Sequence, residues 1–190
     1  MNKNYYITTP IYYPSAKPHM GHAYSSIVAD FFARLKRIQG FNVFFLTGTD
    51  EHGQKIQRAA EKKNMDPLTF CDEISKTFKN LSKTLNLSNT DFIRTTESRH
   101  VKSVQNLWNV LEKKGEIYLS KYSGWYSVSD EAFYSENEIK NENNNKTSIV
   151  SGSPVEWVEE ESYFFKLSKW EKPLLKFYEN NPNFILPQAR

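Results

Sequence analysis

Tyr5-Tyr6-Ile7-Thr8-Thr9-Pro10-Ile11-Tyr12-Tyr13-Pro14-Ser15-Ala16-Lys17-Pro18-His19-Met20-Gly21-His22 reads as a strand, a proline-punctuated loop and the start of a helix. Residues 5–9 predict the strand, which Pro10 ends. Residues 10–18 form the loop, and Pro18 suits a helix edge, where its missing N–H costs nothing. Beyond it, Ala23, Ile27, Phe31, Leu35 and Ile38 step by four or three, which predicts one buried face of a helix running to about Gln39. Gly40 sits where a C-terminal cap belongs. The next run, Phe41-Asn42-Val43-Phe44-Phe45-Leu46, is nearly all apolar and predicts a strand covered on both faces, as in a parallel sheet. Thr47-Gly48-Thr49-Asp50-Glu51-His52-Gly53 and a further helix follow. Strand, loop, helix, strand, loop, helix is the βαβ start of a doubly wound α/β fold.

In an open parallel sheet, ligands bind beyond the carboxyl ends of the strands. Two loops leave such ends here. The first carries Ile11, Tyr13, His19, Gly21 and His22, and the second carries Asp50, Glu51, His52 and Gly53. The unpaired N–H groups of a helix N-terminus attract anions. His19 and His22 add side-chain donors there, and Gly21 leaves room for a ligand beside the backbone. Together the loops would supply an apolar and aromatic wall, a carboxylate and a phosphate cradle. That set suits a ligand with an amine, an apolar side chain and a neighbouring phosphate. Other readings stay open at this point. The two histidines are compatible with a structural or metal-binding role, Asp50 with a helix N-cap, Tyr12 and Tyr13 with packing, and His52 with a supporting hydrogen bond.

Further along, residues 67–86 predict a helix, 91–94 a short strand, and 97–114 a helix with Val101, Val104, Trp108 and Leu111 on one face and Gly115 as its stop. From 116 to 170 aromatic and polar residues alternate, which predicts short antiparallel strands and places a domain boundary near residue 115. Lys140–Lys146 reads as an exposed polar loop tip, and 171–180 as a helix.

With 38% hydrophobic and 15% aromatic residues, the 190-residue chain has enough apolar surface for a core, which excludes a disordered segment. The net charge of +3 permits an anionic partner without requiring one. The single cysteine, Cys71, excludes a disulfide framework and is expected to be a packed core residue. The N-terminus has no signal-peptide pattern, and no run reaches the ~18 apolar residues of a membrane span. A cytoplasmic protein with no membrane partner is the expectation.

Taken together, three stretches resemble the methionyl-tRNA synthetase family of class I aminoacyl-tRNA synthetases. These are Thr8–Tyr13 with His19-Met20-Gly21-His22-Ala23-Tyr24, Phe44–Gly53, and Asp91-Phe92-Ile93-Arg94-Thr95-Thr96. The likeness runs through the whole chain, including Tyr163-Phe164-Phe165. It implies a Rossmann-type catalytic domain, with its N-terminal half in 1–115, and an inserted, mostly antiparallel β connective-peptide domain in 116–190. It implies activation of methionine with ATP and Mg2+ to methionyl-adenylate, then transfer to tRNA(Met) in protein biosynthesis. The region Tyr13, Pro14, Ser15, Ala16, Lys17, Pro18, His19, Met20, Gly21, His22, Ala23 corresponds to the HIGH motif region. Within it, His19 and His22 would be the catalytic ATP-binding histidines, with Gly21 at ATP as well. Ile11, Tyr13 and Asp50 would hold methionine, Asp50 through its ammonium group.

The sequence departs from the family pattern in two places. Many members carry a zinc knuckle, but the corresponding positions here are Ser127, Asp130, Ser148 and Ser151. A tetrahedral zinc site is therefore not expected, and the knuckle should be held by aromatics such as Trp125, Tyr126 and Tyr134. The family's KMSKS lysine loop is also missing: Lys166-Leu167-Ser168-Lys169 only mimics it, because it follows the Tyr163–Phe165 strand of the connective domain. The chain is thus expected to be an incomplete piece of such an enzyme, inactive by itself. The alternatives are another HxGH nucleotidyl transferase or a non-catalytic tRNA-binding fragment.

Overall fold

The computed structural model describes residues 3–142 and 145–187. The chain divides into two compact units, Met1–Val104 and Gln105–Arg190. The first holds strand β1 (Asn4–Thr8), helix α1 (Met20–Ile38), β2 (Asn42–Thr49), α2 (Gln54–Glu61), α3 (Pro67–Thr84) and β3 (Asp91–Arg94). Helix α4 (Ser98–Lys113) spans the division.

The three strands form a parallel sheet in the order β1-β2-β3. Sequential order with right-handed crossovers puts the helices on one face. Accordingly, Ala29 and Ala33 of α1 pack on Val43 and Phe45 of β2, with Tyr5 and Ile7 of β1 alongside. A second cluster joins Ile56 and Ala60 of α2 to Phe70, Cys71, Ile74 and Phe78 of α3, closed by Tyr12 from the loop after β1 and by Phe92 of β3. Gly48 is obligatory in β2, because a Cβ there would lie 2.0 Å from the Ile93 carbonyl oxygen.

Two expectations from the sequence are corrected. The β2 run is covered on one face only: Phe45 is wholly buried, whereas Phe44 is 44% and its neighbour Tyr6 62% exposed, their rings 5.8 Å apart. Likewise, α1 does not bury Ile27, Phe31 and Ile38, which are 49%, 61% and 84% exposed. Its buried line is Ala23, Ser26, Ala29, Asp30 and Ala33. The small side chains let the helix lie close to the strands. The one large polar residue in that line, Asp30, accepts hydrogen bonds from the Ser88 amide (2.7 Å) and Arg34 Nε (2.6 Å), which makes its burial tolerable.

The second unit is antiparallel β. Strand β4 (Ile117–Ser127) lies between β5 (Ala132–Tyr134) and β8 (Glu156–Phe165). Edge-on aromatic pairs join neighbours: Trp125 with Trp157 at 5.2 Å and Tyr122 with Phe133 at 4.5 Å. Strands β6 (Ile139–Glu142) and β7 (Asn145–Ser148) pair as well, so the flanks of the expected polar loop are strand; residues 143–144 lie outside the described part. Helix α5 (Glu171–Asn180) follows. Among the described residues, no helix is long and apolar enough to cross a membrane.

The one-sided sheet makes a prediction. Phe45→Ala should cost about 3–5 kcal/mol in urea unfolding, and Phe44→Ala less than about 1 kcal/mol. Equal losses would show that both faces are packed.

Candidate active site

His19 caps α1. Its Nδ1 accepts the Gly21 N–H at 3.1 Å, and its own N–H is accepted by Nδ1 of His22 at 3.1 Å. The two rings lie 3.9 Å apart, tilted by 34°. This is a reciprocal capping box with histidines in the places where Ser and Glu usually serve. It assigns the tautomers: a ring whose Nδ1 accepts a backbone N–H carries its proton on Nε2 when neutral. Each ring thus keeps an Nε2–H donor for something other than the cap. Gly21 has a role that the sequence did not suggest. A Cβ on it would come within 2.9 Å of the His19 ring, so glycine leaves space for the cap itself. His19 and Met20 are exposed and His22 is half-buried. Burial, and then the neighbouring His19, lower the His22 pKa from its ordinary value.

The loop after β1 is stitched to the carboxyl end of β2. Tyr12 N–H donates to Gly48 O at 3.0 Å, and Asp50 N–H donates to Tyr12 O at 2.9 Å, extending the parallel pairing by one bridge to Thr49. The side chain of Tyr12 is buried against α1 and α3, stacked 5.6 Å from Phe78 and edge-on to His22 at 4.8 Å. Its flanking residues, Ile11 and Tyr13, remain 41% and 40% exposed, as alternation in an extended segment requires. Pro14 is buried, while Ser15, Ala16 and Lys17 are exposed. Asp50 is half-buried and does not cap α2: Gly53 occupies that position, without a side-chain cap. The first and second loops are therefore adjacent at Tyr12 and Asp50, with His22 against the Tyr12 ring. His52 Nε2 sits 3.4 Å from the Thr95 carbonyl, a supporting contact.

Sequence reasoning gave Glu51 no specific role, yet it is the most heavily bonded side chain of this region. It is fully buried, and its carboxylate accepts from Thr49 Oγ1 (2.7 Å), from the Ser75 and Thr96 hydroxyls, and from Arg94 Nε (2.7 Å) and Nη2 (2.9 Å). Its N–H donates to Thr95 Oγ1 at 2.8 Å. Arg94 also pairs with Asp72 at 2.6 Å. These donors outweigh burial and hold the Glu51 carboxyl at a pKa of about 2. Only the adjacency of Asp91–Thr96 to the β2 end could have signalled this pair, and sequence periodicity does not encode it. Cys71 lies in the core as expected, and burial pushes its thiol up to about 11.

In the second unit, the four positions at the usual zinc-ligand places form a hydrogen-bonded cluster. Ser148 Oγ accepts the N–H groups of Val150 (3.2 Å) and Ser151 (3.3 Å), and Ser127 Oγ accepts that of Asp130 (3.3 Å). The Asp130 carboxylate accepts the hydroxyls of Ser151, Ser153 (2.9 Å) and Tyr134 (2.9 Å), and the Ser151 bond, reinforced by the other two, lowers its pKa. Both carboxylate oxygens are engaged, and neutral serine hydroxyls are poor zinc ligands, so this donor set does not fit the metal. Among the described residues, no group of three or more His, Cys, Asp or Glu is placed to hold a metal ion. Aromatics contribute, as expected: Trp125 Nε1 donates to Glu136 at 2.7 Å, and Tyr126 packs on Phe133 at 4.8 Å. The polar centre at Asp130 is an addition to the sequence reading.

Residues 5–143 match the family model described as tRNA synthetases class I (M). A methionine–tRNA ligase of Rickettsia conorii is 54% identical over 190 residues, covering all of this chain and 37% of the relative. Methionine–tRNA ligase 1 of Bacillus cereus is 51% identical over 195 residues, covering all of this chain and 30% of the relative. The structure of Mycobacterium tuberculosis methionyl-tRNA synthetase in complex with methionyl-adenylate superimposes with a TM-score of 0.93 at 44% identity, covering 98% of this chain and 37% of that one. The chain thus spans about a third of the length of these relatives.

The Glu51–Arg94 pair carries a pH signature. A carboxyl whose folded pKa lies below its unfolded value adds stability that is fully present above the unfolded pKa and lost as pH falls toward the folded one. Glu51→Gln should therefore cost about 3 kcal/mol at pH 7. The gap between wild type and variant should stay flat above pH ~5 and narrow between there and about 2. A gap that does not change with pH, measured by urea unfolding at several pH values, would exclude an ionised Glu51.

Proposed function

Because the chain belongs to the class I tRNA synthetases of the methionine type, we propose that it supplies the methionine- and α-phosphate-binding side of a methionine–tRNA ligase. In this reading, residues 1–115 form the N-terminal half of the Rossmann catalytic domain and 116–190 belong to the connective-peptide domain. The substrates are methionine, ATP with Mg2+, and tRNA(Met), and the setting is the cytoplasm. The observation that carries the reading is the reciprocal cap, which leaves the Nε2–H groups of His19 and His22 for an anion at the N-terminus of α1.

The methionine carboxylate attacks the α-phosphorus of ATP, the new acyl–phosphate bond forms, and pyrophosphate leaves. Negative charge builds on the non-bridging oxygens. The N–H groups of His19, Gly21, His22 and Ala23 are already spent in the cap and first turn, so the His19 and His22 side chains are the donors set in place beforehand, and one such donor is typically worth about 3 kcal/mol. No protein nucleophile takes part; the chain positions the reactants. Asp50 holds the ammonium and so fixes the direction from which the carboxylate arrives. Ile11 and Tyr13 line the side-chain pocket, which separates amino acids by only ~1–3 kcal/mol per methylene. Gly21 keeps the His19 ring in its cap at the ATP side. The Asp130 cluster replaces a structural zinc in the knuckle.

The test is methionine-dependent ATP–pyrophosphate exchange in a Rickettsia conorii enzyme whose matching segment is replaced by these 190 residues. We expect exchange with methionine. His19→Ala and His22→Ala should each lower kcat about 10²–10³-fold, while Asp50→Ala should mainly raise KM for methionine. Activity with a different amino acid in place of methionine would overturn the assignment, and charging of tRNA by the 190-residue chain alone would refute its expected inactivity. Elemental analysis of the purified chain should find no stoichiometric zinc; one zinc per chain would sink the metal-free knuckle.

A further inference from the structure

Tyr12 is tied to both halves of the site at once. Through its backbone it receives the Asp50 N–H at 2.9 Å and reaches Gly48 O at 3.0 Å. Its ring is edge-on to the His22 ring at 4.8 Å, and its hydroxyl lies 3.3 Å from the His22 carbonyl and 2.9 Å from Ser26 Oγ, both on the first turns of α1. Phe78 of α3 backs the arrangement, stacked on Tyr12 at 5.6 Å and edge-on to His22 at 5.1 Å. The side chain is 7% exposed, so its ring has little freedom to move independently of its backbone.

We propose that Tyr12 is a positioning residue that sets the separation between the amine-holding Asp50 and the phosphate-holding His22; this rests on the functional reading above. The chemistry requires such a spacer. In an α-amino acid the attacking carboxylate is one carbon from the ammonium. Once Asp50 has fixed the ammonium, the distance from the carboxylate to the α-phosphorus depends on where His22 holds the nucleotide. An error of about 1 Å at a reacting centre costs on the order of 10²-fold in rate. A residue whose main chain registers one group and whose ring registers the other removes that error without touching either substrate. Asp50 and His22 share no other single bonding partner among the described contacts.

The test uses the isotopically labelled 190-residue chain and two NMR markers, the imidazole nitrogens of His22 and the amide of Asp50. Tyr12→Leu should move both. Ile74→Ala, which disturbs the same core cluster without contacting His22 or Asp50, should move each less than a third as far. Tyr12→Phe keeps the ring and should restore the His22 ring signals while still shifting the amides of residues 22–26. Movement of only one marker in Tyr12→Leu, or shifts no larger than in Ile74→Ala, would reduce Tyr12 to ordinary packing. If Tyr12→Leu does not fold, absence of any shift at 22–26 in Tyr12→Phe overturns the proposal instead.

Ligands separate this inference from the reading it rests on. In the unsubstituted chain, methionine should shift the Asp50 amide and, at a distance, the His22 ring. ATP should do the reverse, since coupling is reciprocal. Tyr12→Leu, which loses the ring, should cut each distant shift at least twofold and leave the near one, whereas Tyr12→Phe should keep most of both. Near shifts without distant ones in the unsubstituted chain would overturn the spacer. No near shift with either ligand would instead count against the functional reading, leaving the variants to decide the role of Tyr12.

Discussion

The buried carboxylate of Glu51 is the constraint on which the rest of this site depends. It collects hydroxyl donors from Thr49, Ser75 and Thr96 and two guanidinium bonds from Arg94, so one group joins the ends of β2 and β3 to α3. A buried ion pair is expensive to desolvate and is tolerated only when its lone pairs are filled, as they are here. The result is a fixed loop between β2 and α2, with Asp50 immediately before the anchor and His52 immediately after it. Without that anchor, Asp50 would sit on an ordinary surface loop with the positional spread of one.

Much of the fold was legible in the sequence because its signals are local. Pro10 and Pro18 bracket the first loop, Gly40 follows the end of α1, and residues 42–46 of the apolar run lie in β2, all readable from residue type and spacing. The parallel direction of the strands followed from the strand–helix alternation, whereas their order, β1-β2-β3, is visible only in the structure. What failed was the assignment of faces. Periodicity marks where apolar residues recur, not which of two apolar stripes meets the sheet. In α1 the line of Ala, Ser and Asp is the one that packs, because close approach favours small side chains and Asp30 brings its own donors.

The candidate site stood out in the sequence by residue type, whereas its wiring did not. His19, His22 and Asp50 stood out because imidazoles and carboxylates at strand and helix ends have few bland explanations in combination. Tyr12 did not, since a buried aromatic beside a β-strand end usually only packs. What ties it to both loops is a pair of main-chain bonds that any residue type could make and that no side-chain pattern announces. The serines around Asp130 were similarly opaque. The sequence showed which ligands are missing, but only the geometry shows a carboxylate ringed by hydroxyls in their place.

The capping box of α1 also decides which way its two imidazoles face. Each ring spends Nδ1 on a backbone N–H, so its other nitrogen, Nε2, points away from the cap, and its direction is set by the first helical turn rather than by a free rotamer. A side chain outside such a box would give up that rotameric freedom each time it took hold of something. Here the freedom is already spent in folding, so a change in residues 19–22 would be felt at both rings together.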